Sequence, residues 1–383
     1  MKLTTRRRRG TRFHKAQTLY VAISGGHTFS LAIAFTEEEG ILASVVSEKS
    51  LNPHFVEFGV LVSNLQWVVD ELDASIPDRF LYRATKLVVA AIAGGASDFD
   101  QAFISSAIRR VFIEKPLAEI KVIDDTWAGL IAGACSLRGT CAFAGTGASV
   151  YVGTGRTPKG WLGKVDGWGP FIGDFGSGFQ LAIDMFRAFC RLASEGKPEP
   201  PLFRRVQEIV RQNKSEYYGT LKAFRTTQNW FDVLRSSLTK DRWRVPFSKL
   251  AAAATNAADE TPGDELAKKL VRKAADEMLT SLRIAFARNR EALKLPIVLQ
   301  GGMFEYSALY RNRVRSSLRR LTQVPIELAR FRPILGAALF ALQKPRTKLL
   351  NVATRLEHSV RRLDLAQQNV LLRLRDSGFA SME

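Results

Sequence analysis

The stretch Cys141–Phe179, CAFAGTGASVYVGTGRTPKGWLGKVDGWGPFIGDFGSGF, decides the fold. Glycine is dense at the exits of its apolar, strand-like runs. Cys141 to Ala144 reads as a buried strand that enters Gly145-Thr146-Gly147-Ala148, a turn with so little side-chain bulk that backbone N–H groups can approach an anion. This turn is a candidate phosphate cradle. Further on, Gly167-Trp168-Gly169-Pro170 and Gly173-Asp174-Phe175-Gly176-Ser177-Gly178 set one carboxylate inside a hinge-like run, just before an apolar helix near Phe179. Asp174 is placed to hold a hydroxyl or a hydrated metal ion. Turns between strands would explain a lone Gly-x-Gly; two glycine-rich turns and an aspartate in one segment ask for more.

Towards the amino terminus the pattern has a counterpart. Leu19 to Ile23, Ser24-Gly25-Gly26-His27-Thr28 and Phe29 to Phe35 read as strand, tight turn and strand, and a third strand follows near Ile41 to Val46. Asn52-Pro53-His54 then opens a helix in which Phe55, Phe58, Val62, Leu65, Val69 and Leu72 recur at three- and four-residue spacing. An Asn-Pro turn starting a helix accounts for these residues, and a ligand contact at Asn52 is the other reading. Lys86 to Ala93 is a buried strand ending in Gly94-Gly95, and Ile120 to Ile123 is a strand that delivers Asp124-Asp125-Thr126 to its carboxyl end. Ligands in open α/β sheets bind at such ends. Either aspartate suits the cap of the helix Trp127 to Cys135, and the two can divide capping and chemistry between them.

The order begins again at Cys141. After a mainly helical insertion over 181–295, Pro296 to Gln300 is a strand ending in Gly301-Gly302, Val324 to Leu328 is a last strand, and Pro333 to Leu342 is a helix. Duplication of this kind implies two related α/β lobes across a cleft. Beyond Lys344, Leu349, Val352, Leu356, Leu363 and Val370 lie on one seam of an arginine-rich amphipathic helix, which can dock on its own lobe or pair with a second copy as a homodimer.

At 383 residues the chain is long enough for two lobes of ordinary size, and a hydrophobic content of 46% suits a large packed interior. No apolar run approaches the ~20 residues of a membrane helix, and no signal-peptide core follows the amino terminus, so a cytoplasmic protein without a membrane partner is expected. Cys135, Cys141 and Cys190, with no Cys-x-x-Cys spacing, and four scattered histidines suggest neither a disulfide framework nor a structural zinc site. A net charge of +19 favours anionic ligands. Arg6 to Arg9, Arg12 and Lys15 form a basic arm that reads as a solvated tail, with nucleic-acid contact as the minority reading.

In the order of its glycine turns and in Asp125-Thr126…Ala128…Ala132-Gly133 the chain resembles the N-acetylglucosamine kinase and BadF/BadG/BcrA/BcrD-type ATPase family of the actin-like sugar kinase superfamily. The resemblance covers roughly residues 18 to 342. It implies an α/β fold of two ribonuclease H-like, actin-like ATPase lobes facing a nucleotide-binding cleft, with a C-terminal helical extension. The expected division is a basic arm over 1–17, a first lobe over 18–135, a second lobe with a helical insertion over 136–343 and the amphipathic extension over 344–383. The implied reaction is ATP-dependent phosphorylation of an amino sugar such as N-acetylglucosamine or glucosamine at the 6-hydroxyl, with Mg2+. The resemblance makes Asp125 the catalytic base. Gly25, Gly26, Thr28, Gly145, Thr146 and Gly147 become phosphate contacts, Gly301 and Gly302 lie beside the adenosine, and Asn52, Gly95 and Asp174 are sugar contacts. Asp174 is also placed to meet the metal through water. One departure stands out: the family's first loop reads Asp-Gly-Gly-Gly-Thr-Lys-Thr, and here Ser24, His27 and Phe29 replace its Asp, third Gly and Lys. That departure supports a second reading, a nucleotide-binding regulatory or scaffold protein of weakened catalysis. A third, an ATPase activating a partner enzyme, needs bridging cysteines that the three here do not match.

Overall fold

The computed structural model describes residues 18–26, 29–77, 85–113, 117–155, 163–212, 244–260, 262–343, 348–363 and 365–372. Two five-stranded sheets organise it. The first contains β1 (Leu19–Gly25), β2 (Ser30–Thr36), β3 (Gly40–Ser47), β4 (Thr85–Ile92) and β5 (Leu117–Asp124) in the order β3-β2-β1-β4-β5. The second contains β6 (Arg138–Ala144), β7 (Ala148–Thr154), β8 (Lys164–Asp166), β9 (Ile297–Gln300) and β10 (Ile326–Leu328) in the order β10-β9-β6-β7-β8. Read from its third strand, each sheet has the same plan. Three antiparallel strands come first, then two strands parallel to the opening strand. The duplication expected from the sequence is therefore present in the pairing itself.

Period-two alternation explains why the strands of the first sheet are apolar throughout. Leu19, Val21, Ile23, Val88, Ala90 and Ile92 pack into one core with α1 (Phe58–Ser75) and α2 (Asp98–Val111), while Tyr20, Ala22, Leu31, Ile33, Leu87 and Val89 point into another on the opposite face. That second core is filled by α3 (Asp125–Ala134) and by α11 (Pro333–Ala341), a helix late in the sequence. The two cross so closely that a Cβ added at Gly336 would lie 1.8 Å from the Ala128 carbonyl oxygen. Small residues are obligatory there.

The second lobe is completed by α4 (Gly178–Ser194), α5 (Pro201–Gln212), α6 (Arg244–Lys249), α7 (Ala251–Asp259), α8 (Glu265–Arg288), α9 (Gly302–Tyr306) and α10 (Ala308–Arg319). Their apolar faces and the second sheet share a single core. The carboxyl-terminal extension departs from the single long helix expected. It folds as α12 (Leu349–Val360) and α13 (Leu365–Leu371), and α12 buries Val352, Leu356 and Val360 with the inner face of the first sheet rather than on its own lobe. The register is pinned at β3, where the Ile41 N–H donates to Ser359 Oγ at 3.0 Å. Among the described residues no helix is long and apolar enough to cross a membrane.

Candidate active site

The glycine turns fall at matching edges of the two sheets, and packing separates those the fold needs from those left open. A Cβ at Gly25 would meet Leu51 Cβ at 2.6 Å, and one at Gly301, where φ is +102°, would meet the Ala144 carbonyl oxygen at 2.3 Å. Both are fixed by the turn itself. At Gly26 the nearest atom is 4.0 Å away, and at Gly302 only the Tyr306 ring comes within 3.5 Å. Their open backbone suits the close approach of a phosphate and of a flat base. In the second lobe the Gly145 N–H donates to the Gly147 carbonyl at 2.8 Å, closing the turn, and Ser248 Oγ donates to Thr146 Oγ1 at 3.2 Å. Gly301 and Ala144 place this turn beside Gly301-Gly302. In the first lobe the Ala93 N–H donates to the Gly25 carbonyl at 2.8 Å, so Gly25-Gly26 and Gly94-Gly95 are neighbours too. These cradles fit a nucleotide. Thr28, the other residue expected here, and His27 lie outside the described residues.

Asn52 is buried beside Gly94, and its Oδ1 accepts the His54 N–H at 2.9 Å, the geometry of a turn opening the chain towards α1. A Cβ at Gly94, where φ is +86°, would lie 2.9 Å from that same oxygen. His54 Nε2 faces Asp100 Oδ1 at 3.7 Å. Gly95 is tightened against the Ile92 carbonyl, which a Cβ would meet at 3.0 Å.

The two aspartates differ in their contacts. Asp124 ends β5 and caps α3, its Oδ1 accepting the Thr126 N–H at 2.9 Å, while its Oδ2 receives Lys164 Nζ from β8 at 2.7 Å. Asp125, the first helical residue, is half-buried, with Thr126 Oγ1 3.5 Å from its carboxylate. Burial, with the Asp124 charge added, pushes the Asp125 carboxyl up to about 7, against the downward pull of Lys164. A carboxylate tuned to that range can accept a proton from a hydroxyl.

Asp174, buried at φ +58°, accepts the Ala148 N–H at 3.3 Å and so ties the second glycine-rich loop to the phosphate turn. The loop hangs from Asp166, a residue the sequence did not single out. Its carboxylate accepts the N–H groups of Gly167, Asp174 and Phe175, each at 2.7 Å. Lys164 and Ser149 were also missed; Ser149 Oγ meets Thr126 Oγ1 across the lobes at 3.0 Å. The signal was present in Lys164-Val165-Asp166, where two charges share one face of a strand inside a glycine-rich segment. Among the described residues no three His, Cys, Asp or Glu side chains are grouped to hold a metal ion.

No family model matches the chain. It is 22% identical over 341 residues to an N-acetyl-D-glucosamine kinase of Dictyostelium discoideum, across 86% of this chain and the whole of that one. It is 24% identical over 214 residues to an N-acetylmuramic acid/N-acetylglucosamine kinase of Clostridium acetobutylicum, across 55% of this chain and 62% of that one. Among solved structures, a candidate N-acetylglucosamine kinase from Chromobacterium violaceum superposes with a TM-score of 0.59 at 16% identity, covering 85% of this chain and 99% of that one. A second candidate N-acetylglucosamine kinase, from Porphyromonas gingivalis, gives 0.57 at 19% identity, covering 88% and 99%. A ROK hexokinase from Thermus thermophilus gives 0.50 at 19% identity, covering 84% and 98%. The fold is that of the actin-like sugar kinases, and within it the chain is similar to the N-acetylglucosamine kinases.

Proposed function

We propose that the protein transfers the γ-phosphoryl group of ATP to the 6-hydroxyl of an amino sugar, N-acetylglucosamine or glucosamine. The observation that supports this reading is Asp125, the first residue of α3 beside the Asp124–Lys164 pair, with a carboxyl pushed up to about 7. Its carboxylate takes the proton as the sugar oxygen attacks the γ-phosphorus and ADP leaves. Positioning and charge stabilisation supply most of the acceleration in such transfers. The glycine turns at Gly25-Gly26 and Gly145 to Gly147 let the phosphates approach the backbone, Gly301-Gly302 admit the base, and magnesium accompanies the nucleotide. Asn52, Gly95 and Asp174 orient the sugar, with Asp174 on a hydroxyl or on a magnesium-bound water. Lobe closure excludes the water that would otherwise compete for the phosphoryl group.

The test is ATP consumption with magnesium against a panel of amino sugars and their neutral hexose counterparts. ADP release stimulated by an amino sugar is expected; release indifferent to every sugar overturns the assignment. Ser24, without the charge its relatives place there, favours the second reading of a nucleotide-binding protein with weakened turnover. Tight ADP binding without sugar-stimulated release would select it.

A further inference from the structure

We propose that the Asp124–Lys164 ion pair is an interlobe latch that holds Asp125 in working position, making Lys164 a positioning residue for the phosphoryl transfer. The proposal rests on the kinase reading. Asp124 belongs to the first sheet and Lys164 to the edge strand of the second; their side chains are 5% and 7% exposed, with Nζ and Oδ2 2.7 Å apart. Stripping water from both charges is costly, and an apolar pair of similar volume often stabilises a fold as well or better. A buried pair spanning two lobes is better explained by what it positions.

Its geometry reaches Asp125 through the backbone. One oxygen of Asp124 caps α3 and the other is gripped by Lys164, so the grip fixes the first turn of the helix that begins with Asp125. The Thr126–Ser149 hydroxyl contact adds a second cross-lobe bond one residue further on. Ser149 pairs with Asp166, two residues along β8 from Lys164, and Asp166 suspends the loop carrying Asp174. A single short strand thus registers the base of one lobe against the glycine-rich loop of the other. The charged groups acting on Asp125 are Asp124 beside it and Lys164 opposite; Asp174 acts in turn on Lys164, and the Tyr151 hydroxyl lies in the field of Asp124.

The experiment compares Lys164→Met, Asp124→Asn and the double variant with the parent, after circular dichroism shows that each folds. The double variant removes both charges of the pair together and secures the comparison if a single variant unfolds. The latch predicts a fall in kcat on the order of 10²-fold in Lys164→Met, with KM for ATP nearly unchanged. It also predicts opposite displacements of the acid limb of kcat/KM. Lys164→Met moves it to higher pH, Asp124→Asn moves it to lower pH, and the double variant lies between them. A pair that merely supports the fold lowers Tm and leaves kcat in place, which overturns the proposal, as do limb displacements of the same sign. Small-angle scattering separates this from failure of the kinase reading. Lys164→Met should have a larger radius of gyration than the parent with ADP bound, and equal radii overturn the latch even in a protein that turns over no sugar.

Discussion

Truncating Asp166 tests whether one carboxylate organises the second glycine-rich loop. In the parent it accepts three N–H groups at 2.7 Å, from Gly167, Asp174 and Phe175. Bonds to a charged acceptor contribute about 1.5–3 kcal/mol each, but they share one carboxylate and are not additive. Phe171 and Ile172 are 84% and 73% exposed, so a released loop meets water and recovers part of the loss. The balance is about 3 kcal/mol of local order, equivalent to roughly 10²-fold faster amide exchange over 167–175. Backbone conformation refines the prediction. Asp166 has φ +64°, which costs a non-glycine residue about 1–2 kcal/mol. Asp166→Gly removes the bonds and that strain together, whereas Asp166→Ala removes only the bonds. Hydrogen-exchange mass spectrometry should therefore show loosened protection over 167–175 in both, with the glycine variant the more stable globally by about 1 kcal/mol. Unchanged protection of that segment in Asp166→Ala would refute the argument.

Asp125→Asn should abolish sugar phosphorylation and leave nucleotide affinity within a few-fold of the parent, as read by kinetics and calorimetry. Because the folded carboxyl is raised to about 7, parental activity should climb with pH through that value, and ionisation should cost stability as pH rises from the ordinary carboxylate range to about 7. A Tm-against-pH curve that is flatter in Asp125→Asn checks the sign. Ser24→Asp should raise turnover or lower the magnesium requirement; a decrease at every magnesium concentration means position 24 serves another purpose. Gly336→Val should lose ~3 kcal/mol or more, since its Cβ would sit 1.8 Å from the Ala128 carbonyl, and thermal melts will show it. Ser359→Ala leaves the buried Ile41 N–H without its acceptor, at a cost of about 1 kcal/mol in denaturant titrations.

The strands and their order were legible because β1, β4 and β9 are apolar runs that end in glycine pairs, a pattern carried by local composition alone. The placement of Asp125 was legible for a similar reason: a strand delivers it to a helix start. Lys164 and Asp166 were not read from the sequence, because two charges on one face of a three-residue strand mark a site without naming their partners, which lie forty residues upstream and eight residues downstream. The carboxyl-terminal extension was misjudged on similar grounds. Its periodic seam continues through residues 361–363, and heptad spacing cannot register the turn there or say which lobe the seam covers.

The position of α11 and α12 has a consequence for how the chain folds. The inner face of the first sheet, with Tyr20, Leu31, Ile33, Phe35, Leu87 and Val89, is roofed partly by α11 and α12, which are made long after it. A nascent chain that has completed β1 to β5 and α3 still shows much of that greasy face to solvent, waiting for some two hundred further residues. The amino-terminal half is thus not a self-sufficient unit. Its maturation is timed by helices far downstream, and fragments that stop short of α11 should bind chaperones or clump where the longer chain does not.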